Sequence, residues 1–514
     1  MLALALAGGP VAALAARVGQ PDPSRAVSRA ARVLAVAALA ALGLALLALA
    51  GREAALPGVE AGPFPSLVLV LVLGMGATVL GYAARSLRHE PYQRRFAVAG
   101  SVLVGLGALL VTTTDLVVLA VAWVAVSATT LRLVATGPEA GLAERTVRAR
   151  RALLAGDALV VAAVTLLVAT SGSTAIDDLG GASGPALAGA GLLLVMAAAA
   201  RGATAPFHRW LPDTLGAPTP SSALLHAGVV NGGAIVLLKL APVTTAHRPA
   251  AALALVLGAA SCVFAEAVML TRPDVKGRLA WSTVAQMSFT LALVGLGLHT
   301  AAALHLVAHG LYKGALFLGS GSNVRAVVRE RTAPPWTEPG GRALTPMAFA
   351  VSGLGVGVAA GLLAPEPTGD LLVPVGLAWV AAGCATAVWF QRTPALGQRA
   401  VGAIGIAGLL AAFVATTVVV KDRMAPTMDA AASLHPAWIL ALLGALTAVA
   451  LSRGAGERAP LVGRAWAWVR LAGRPVRPRP LRVAIPHPPR RPVGWSEGLP
   501  APLSPALDDA LGRG

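Results

Sequence analysis

Apolar residues in this sequence are gathered into about fifteen blocks from Leu2 to Leu451, each close to the twenty residues a helix needs to cross a hydrocarbon core. That grouping limits the fold more than any motif does. With 56% of its 514 residues hydrophobic and 12% charged, and a mean hydropathy of +0.73, a soluble fold of this length could not hide the apolar surface, because the buried fraction saturates with size. A bilayer can, and apolar blocks of about twenty residues cross it as helices, which satisfy their own backbone polar groups. The sequence therefore predicts an all-α polytopic membrane protein of about 14–15 transmembrane helices. The blocks lie near 2–17, 33–50, 64–84, 96–113, 115–136, 152–171, 184–206, 222–243, 250–271, 279–298, 301–320, 343–364, 371–390, 400–420 and 436–452. Aromatics make up only 4%, and the abundant Ala and Gly suit helices whose backbones approach closely in lipid.

Charge sets the expected orientation. Alternate loops carry Arg17, Arg25, Arg29 and Arg32, then Arg85, Arg88, Arg94 and Arg95, then Arg145, Arg148, Arg150 and Arg151. The same side continues with Arg272, Lys276 and Arg278, with Arg325, Arg329, Arg331 and Arg342, and with Arg392 and Arg399. The opposite loops hold Arg52, Arg248, Lys421 and Arg423, and acidic stretches such as Asp177-Asp178. The positive-inside rule then places the N-terminus outside and the C-terminal tail in the cytoplasm, in an inner (plasma) membrane. Membrane orientation accounts for most of the net charge of +18, so no nucleic acid partner is expected. Cys262 and Cys384 are far apart in the sequence, which indicates neither a disulfide framework nor an iron–sulfur site. No basic residue precedes the run from Leu2, which speaks against a cleaved signal peptide.

From Arg453 onward the sequence is rich in Pro and Arg, as in Arg474-Pro475-Val476-Arg477-Pro478-Arg479-Pro480. Proline removes backbone donors, so no long helix is expected there. A disordered cytoplasmic tail held near anionic lipid is the first reading, and a partner-docking strand or short helix the alternative.

An ionisable residue inside a span is costly and by default faces the protein interior or a wet cavity. Here these are Asp115, Arg132, Asp157, Arg201, His226, Lys239, Glu266, His305, His309 and Lys313. The last three follow at intervals of four residues, which stacks them on one helix face roughly 6 Å apart. Such a ladder suits proton relay, since histidine both accepts and donates near neutral pH and a desolvated lysine titrates lower than usual. Three residues satisfied by interhelical hydrogen bonds is the structural alternative. The seventh block ends in Arg201-Gly202-Ala203-Thr204-Ala205-Pro206, and irregular backbone beside a charge at membrane depth marks transport sites. Gly202 and Pro206 are thus the expected helix break, unless the helix simply ends at the interface. Lys239 and Arg132 lie near helix ends, where a long stem can snorkel, and Glu266 could pair with Arg272 or Lys276.

These segments resemble a known family. Ala205-Pro-Phe-His-Arg-Trp-Leu-Pro-Asp-Thr, with Ala217-Pro-Thr-Pro-Ser-Ser-Ala-Leu-Leu-His226, looks like the hallmark of the proton-pumping antiporter-like membrane subunits. So do Asp274-Val-Lys-Gly-Arg-Leu-Ala-Trp-Ser-Thr-Val-Ala-Gln286 and the stretch His305 to Ser322. The family occurs in respiratory NADH–quinone oxidoreductase, in Mrp-type cation/proton antiporters, and as DabB in bicarbonate-linked inorganic carbon transporters. The resemblance implies two inverted five-helix repeats with broken helices. They correspond here to 96–243 and 250–420, after N-terminal helices in 1–95 and before a last helix in 421–452 and the tail 453–514. It also implies an ion-translocating path through Arg201, His226, Lys276, His305, His309 and Lys313. Asp115, Asp157 and Lys239 are added on their position within the spans.

Two departures bear on the branch. Respiratory members carry a glutamate after a tryptophan in the fifth span, whereas this chain has Trp123-Val124. Arg201 stands where the family has lysine, and a guanidinium does not release its proton at physiological pH. His226-Ala-Gly-Val-Val-Asn231-Gly-Gly and the His305–Ser322 stretch look most like the DabB branch. That branch implies an ion-conducting transporter subunit, not an enzyme, moving H⁺ or Na⁺ for uptake of CO2 or bicarbonate beside a DabA-like zinc-binding soluble subunit. This sequence holds no Cys/His/Asp cluster suited to zinc and no nucleotide fingerprint, so no cofactor or metal of its own is expected. The alternatives are a proton-pumping subunit of NADH–quinone oxidoreductase and an Mrp-type antiporter.

Overall fold

A long apolar block in lipid satisfies its backbone most simply as a helix, and each block is helical over most of its described length. A computed structural model describes residues 1–18, 22–136, 142–181, 184–244, 247–332, 344–363, 369–392, 396–428, 438–452 and 460–473. The first helices are α1 (Leu2–Arg17), α2 (Pro23–Leu49), α3 (Pro63–Ser86), α4 (Gln93–Thr112), α5 (Leu116–Val134), α6 (Leu142–Ser171) and α7 (Pro185–Arg201). Short pieces follow: α8 (Trp210–Asp213), α9 (Thr219–Ala227), α10 (Gly232–Lys239) and α11 (Ala241–Thr244). Then come α12 (Arg248–Thr271), α13 (Val275–Gly295), α14 (His299–Thr332), α15 (Leu344–Leu363) and α16 (Gly369–Arg392). The last are α17 (Leu396–Met428), α18 (Trp438–Ser452) and α19 (Pro460–Ala472). Among the described residues nine helical stretches, with Thr219–Lys239 counted as one, are long and apolar enough to cross a membrane, so the chain is a predominantly helical, multi-pass membrane protein. Others, such as α1 and α7, are shorter. The α13 helix carries Gln286, Ser288 and Thr290 and is buried over most of its length, so protein rather than lipid surrounds its polar groups.

Several elements differ from their sequence blocks. The α2 helix starts ten residues before its apolar block because Asp22 caps it, accepting from the Ser24 amide at 2.9 Å, with Pro23 in the first turn. Arg25, Arg29 and Arg32 are therefore helical, not loop, residues. The block at 222–243 is divided. The α9 helix stops at Ala227, Val229–Asn231 forms a 3₁₀ turn, and α10 runs only from Gly232 to Lys239. A two-stranded antiparallel hairpin, β1 (Ala54–Leu56) and β2 (Val59–Ala61), pairs Ala55 with Glu60. Its turn is Pro57-Gly58, with Gly58 at φ +75°, a conformation glycine takes without a β-carbon clash.

The tail is not wholly irregular, since residues 460–472 form α19. Trp468 meets Phe264 of α12 with ring centroids 5.8 Å apart, and Arg272 Nη1 donates to the Gly473 carbonyl at 3.0 Å. The short-helix alternative therefore describes this part, because Val462, Trp466 and Val469 give it a half-buried apolar stripe. The chain through Val476 is one compact unit. The Pro/Arg run from Arg474, and the side chains of Arg325, Arg329, Arg331 and Arg342, lie outside the described residues.

Small residues set the closest approaches around the interior. A β-carbon at Gly233 would lie 2.7 Å from the Ala198 carbonyl oxygen, so α10 can rest on α7 at this distance only through glycine. At Gly258 it would lie 2.5 Å from the Ala292 nitrogen, which fixes α12 on α13. Packing of this kind replaces the hydrophobic drive that is missing between helices in lipid.

Candidate functional site

The α7 helix ends at Arg201, with Gly202 as its C-cap. The chain then runs irregularly to α8 through Ala203 at φ +55° and a cis Ala205–Pro206 bond. The loop is held from three sides. Trp210 Nε1 donates to the Ala200 carbonyl at 2.9 Å, the Ala205 amide donates to Ser261 Oγ at 3.1 Å, and Thr204 and Ser288 hydroxyls lie 3.2 Å apart.

Arg201 turns into the protein and is 1% exposed. Its Nη2 donates to the Trp123 carbonyl at 3.0 Å, to Ser127 Oγ at 2.8 Å and to Asp157 Oδ1 at 3.4 Å. The guanidinium carbon lies 3.9 Å from the Trp123 ring centroid, a cation–π contact strengthened by exclusion of water. Ser127 Oγ also donates to Asp157 Oδ1 at 2.6 Å, so the serine links cation and carboxylate. Arg201 Nη1 has no hydrogen-bond partner among the described residues.

This geometry changes the meaning of the missing glutamate. Val124 is 38% exposed, whereas Arg201 is buried. One turn further on, Ser127 meets Arg201, and the carboxylate comes from Asp157 on the neighbouring α6. Sequence spacing within α5 could not reveal a partner supplied by another helix.

A second cluster forms where α14 crosses α9 and α13. His305 and His309 rings are 6.1 Å apart and inclined by 27°, the distance the four-residue spacing predicts. His309 Nδ1 lies 2.7 Å from Gln286 Oε1, and its Nε2 lies 3.3 Å from the His226 carbonyl. Both neighbours are acceptors, so the imidazolium satisfies both. The neutral ring satisfies one, and the other bond then requires the Gln286 amide to turn its NH2 inward. Lys313 Nζ donates to Ser282 Oγ and, at 3.4 Å, to the Leu279 carbonyl. His226 is fully buried, stacks on Phe317 at 4.2 Å, and has no partner for either ring nitrogen among the described residues. His305 packs edge-on against Phe289 at 5.3 Å.

Glu266 belongs with this cluster, not with Arg272 or Lys276. It is the carboxylate whose charge acts on Lys313, whereas Arg272 pairs with Asp274 at 2.6 Å. Residue types in isolated spans did not indicate Ser282, nor the partners of Gln286 and Glu266, since each matters only through α14.

The remaining candidates are elsewhere. Lys239, at the end of α10, donates to the Val111 carbonyl at 2.9 Å. It feels the charges of Glu60 on β2 and of Asp177. Burial raises the Glu60 pKa, and Lys239 opposes that shift. Asp115 is the N-cap of α5, accepting from the Val117 and Val118 amides at 2.8 and 2.9 Å. Its pKa is lowered first by the Thr174 hydroxyl and then by the Val118 amide, which is the signature of a structural cap. Lys276 lies in the first turn of α13, after its Asp274 cap, and is not drawn into the α14 cluster. Between the Arg201 and His309 groups lies the Gly228–Asn231 break, where Asn231 Nδ2 donates to the Ala227 carbonyl at 2.9 Å. Its only sequence signal is the glycine at 228 and the Gly232-Gly233 pair.

Among the described residues no group of three His, Cys, Asp or Glu side chains could hold a metal ion. Two helix breaks, after Arg201 and at Gly228–Asn231, thus stand beside buried cations and histidines. Residues 113–334 match the family described as NADH:quinone oxidoreductase/Mrp antiporter, TM. The chain is 33% identical over 286 residues to "Probable inorganic carbon transporter subunit DabB1" of Halothiobacillus neapolitanus, covering 53% of this chain and 51% of the relative. It is 45% identical over 142 residues to a "Probable inorganic carbon transporter subunit DabB" of Hydrogenovibrio crunogenus, covering 28% and 27%. With NADH-quinone oxidoreductase subunit L of Mycobacterium tuberculosis it shares 29% identity over 296 residues, 56% of this chain and 46% of that one. The chain thus spans about half the length, or less, of these curated relatives. A solved Mrp complex from Dietzia sp. DQ12-45-1b matches 92% of this chain and 51% of its own, with a TM-score of 0.55 at 25% identity.

Proposed function

We propose that this chain is the ion-conducting membrane subunit of an energy-coupled inorganic carbon uptake complex. The observation that carries the reading is the buried row of His305, His309 and Lys313, touching Gln286, Ser282 and the His226 carbonyl. Proton transfer needs groups that both take and give a proton within hydrogen-bond reach or one water apart, and this row on α14, with its contacts on α9 and α13, supplies them. A proton arriving at Lys313 passes to the histidines, with the Gln286 amide turning as His309 changes state. Arg201 does not exchange a proton. It sets a fixed positive field, held by Asp157 and Ser127.

Similarity to several DabB proteins favours carbon uptake as the driven process. On this reading the partner is a DabA-like zinc protein that hydrates CO2 to bicarbonate, the coupled ion is H⁺ or Na⁺, and residues 96–243 and 250–420 are the two repeats. The N-terminus is outside and the tail cytoplasmic. Likeness to the Mrp complex over 92% of the chain supports a second reading, a cation/proton antiporter subunit. Co-purification separates them. A soluble zinc protein that stays bound through gel filtration supports carbon uptake, flavin and iron–sulfur subunits indicate a respiratory complex, and further membrane subunits alone indicate an antiporter.

Arg201→Lys is expected to keep ion-coupled uptake within about threefold of the parent, since an ammonium offers three donors to the three acceptors that Nη2 now serves. Uptake assays in a complemented strain check this. Complete loss would show that the guanidinium plane over Trp123, rather than its charge, is required.

A further inference from the structure

We infer that the α1–α2 face holds one anionic phospholipid, its phosphate on Arg29 and Arg32 and one acyl chain in the groove beside them. Two adjoining cavities define the site. The first, about 530 Å³, is apolar for most of its length and lined by Leu4, Val11, Val33 and Val36. The second, about 760 Å³, is lined by Arg25, Arg29, Arg32, Arg85 and Arg88. Arg29 and Arg32 line both, so a single molecule can run from one into the other. Each volume falls in the range of ligand sites, about 300–1,000 Å³.

The chemistry of the two halves differs as the two ends of a phospholipid differ. Positions 25, 29 and 32 of α2 share one helix face, and Arg85 and Arg88 reach the same basin from the end of α3. Among the residues lining the basin, Asp22 is the carboxylate against five guanidinium groups, and it lies 3.6 Å from Arg25. Arg29 and Arg32 have no ion pair or hydrogen bond among the described residues. A guanidinium fork matches phosphate oxygens two at a time, and Ser24 and Ser28 add hydroxyls at the same rim. The apolar groove leads away from this rim along α1, from Ala15 past Val11 to Leu4, the direction an acyl chain takes from its headgroup toward the bilayer centre. A soluble phosphate would use the basin and leave the groove unused. A zwitterionic lipid would fill the groove but bring its own cation into an arginine basin.

The test is native mass spectrometry of the full-length protein, offered equal amounts of phosphatidylglycerol and phosphatidylethanolamine in detergent. Phosphatidylglycerol is expected to be retained preferentially. Arg29→Gln with Arg32→Gln should lower its retention about thirty-fold, the loss expected for two basic residues at a lipid headgroup. Arg150→Gln with Arg151→Gln, on α6, should leave retention unchanged. Val11→Trp fills the groove without altering charge, and should also lower retention while the gel-filtration profile stays that of the parent. Equal retention of the two lipids, an equal loss in both arginine pairs, or displacement of phosphatidylglycerol by millimolar inorganic phosphate would each overturn the assignment. The last outcome identifies a free-phosphate site.

Discussion

Replacing Lys313 with alanine is expected to lower ion-coupled transport by about 10²-fold or more, the scale on which a positioned proton carrier acts. Insertion and folding should survive, because the hydrogen-bond partners of the removed ammonium are a hydroxyl and a carbonyl, and Glu266, which makes no direct ion pair with it among the described residues, can neutralise by taking up a proton. Lys313→Arg distinguishes relay from field. Arginine keeps the charge opposite Glu266 but holds its proton, so the relay predicts that this variant is nearly as inactive as alanine. Proteoliposomes with an internal pH dye measure both, beside thermal unfolding of the same preparations. Full transport in Lys313→Ala would remove α14 from the path.

Asp157→Leu should destabilise the protein by about 3–5 kcal/mol, because it leaves the Arg201 charge buried without its carboxylate. The second change, Arg201→Leu, made on top of the first, should recover most of that loss, since a buried pair replaced by apolar groups is often neutral. Unfolding in detergent, read by circular dichroism on the two single variants and the double one, supplies the cycle. A double variant as unstable as Asp157→Leu would mean that Ser127 and the Trp123 ring, not the carboxylate, balance Arg201.

The helices and their approximate positions are legible in the sequence because the bilayer enforces one structure on any long apolar block. The His305–His309 distance is legible too, because a four-residue interval on a helix has one geometry. What sequence does not reveal is contact between helices. Val124 read as a missing acid, yet Asp157 supplies a carboxylate from α6. Glu266 read as a partner for the nearby Arg272 or Lys276, yet its charge acts on Lys313, 47 residues further along the chain. The break at Gly228–Asn231 was hidden because Val229 and Val230 continue the apolar block, and glycines are common throughout this chain. The α19 helix was hidden by the prolines that follow it. Asp115, read as part of the path, caps α5, since a carboxylate at a helix start has a local use that composition does not separate from transport.

The pairing of Arg201 with Asp157 has an electrical consequence. Together they carry no net charge, and neither crosses the membrane, so a transmembrane voltage does no work on them. A proton held at Lys313 or His309 is different, because a full crossing is worth about 2.3 kcal/mol per elementary charge for every 100 mV. On the proposed path, the voltage sensitivity of turnover is expected to come from the α14 row, and its steepness to report how far across the field that row lies.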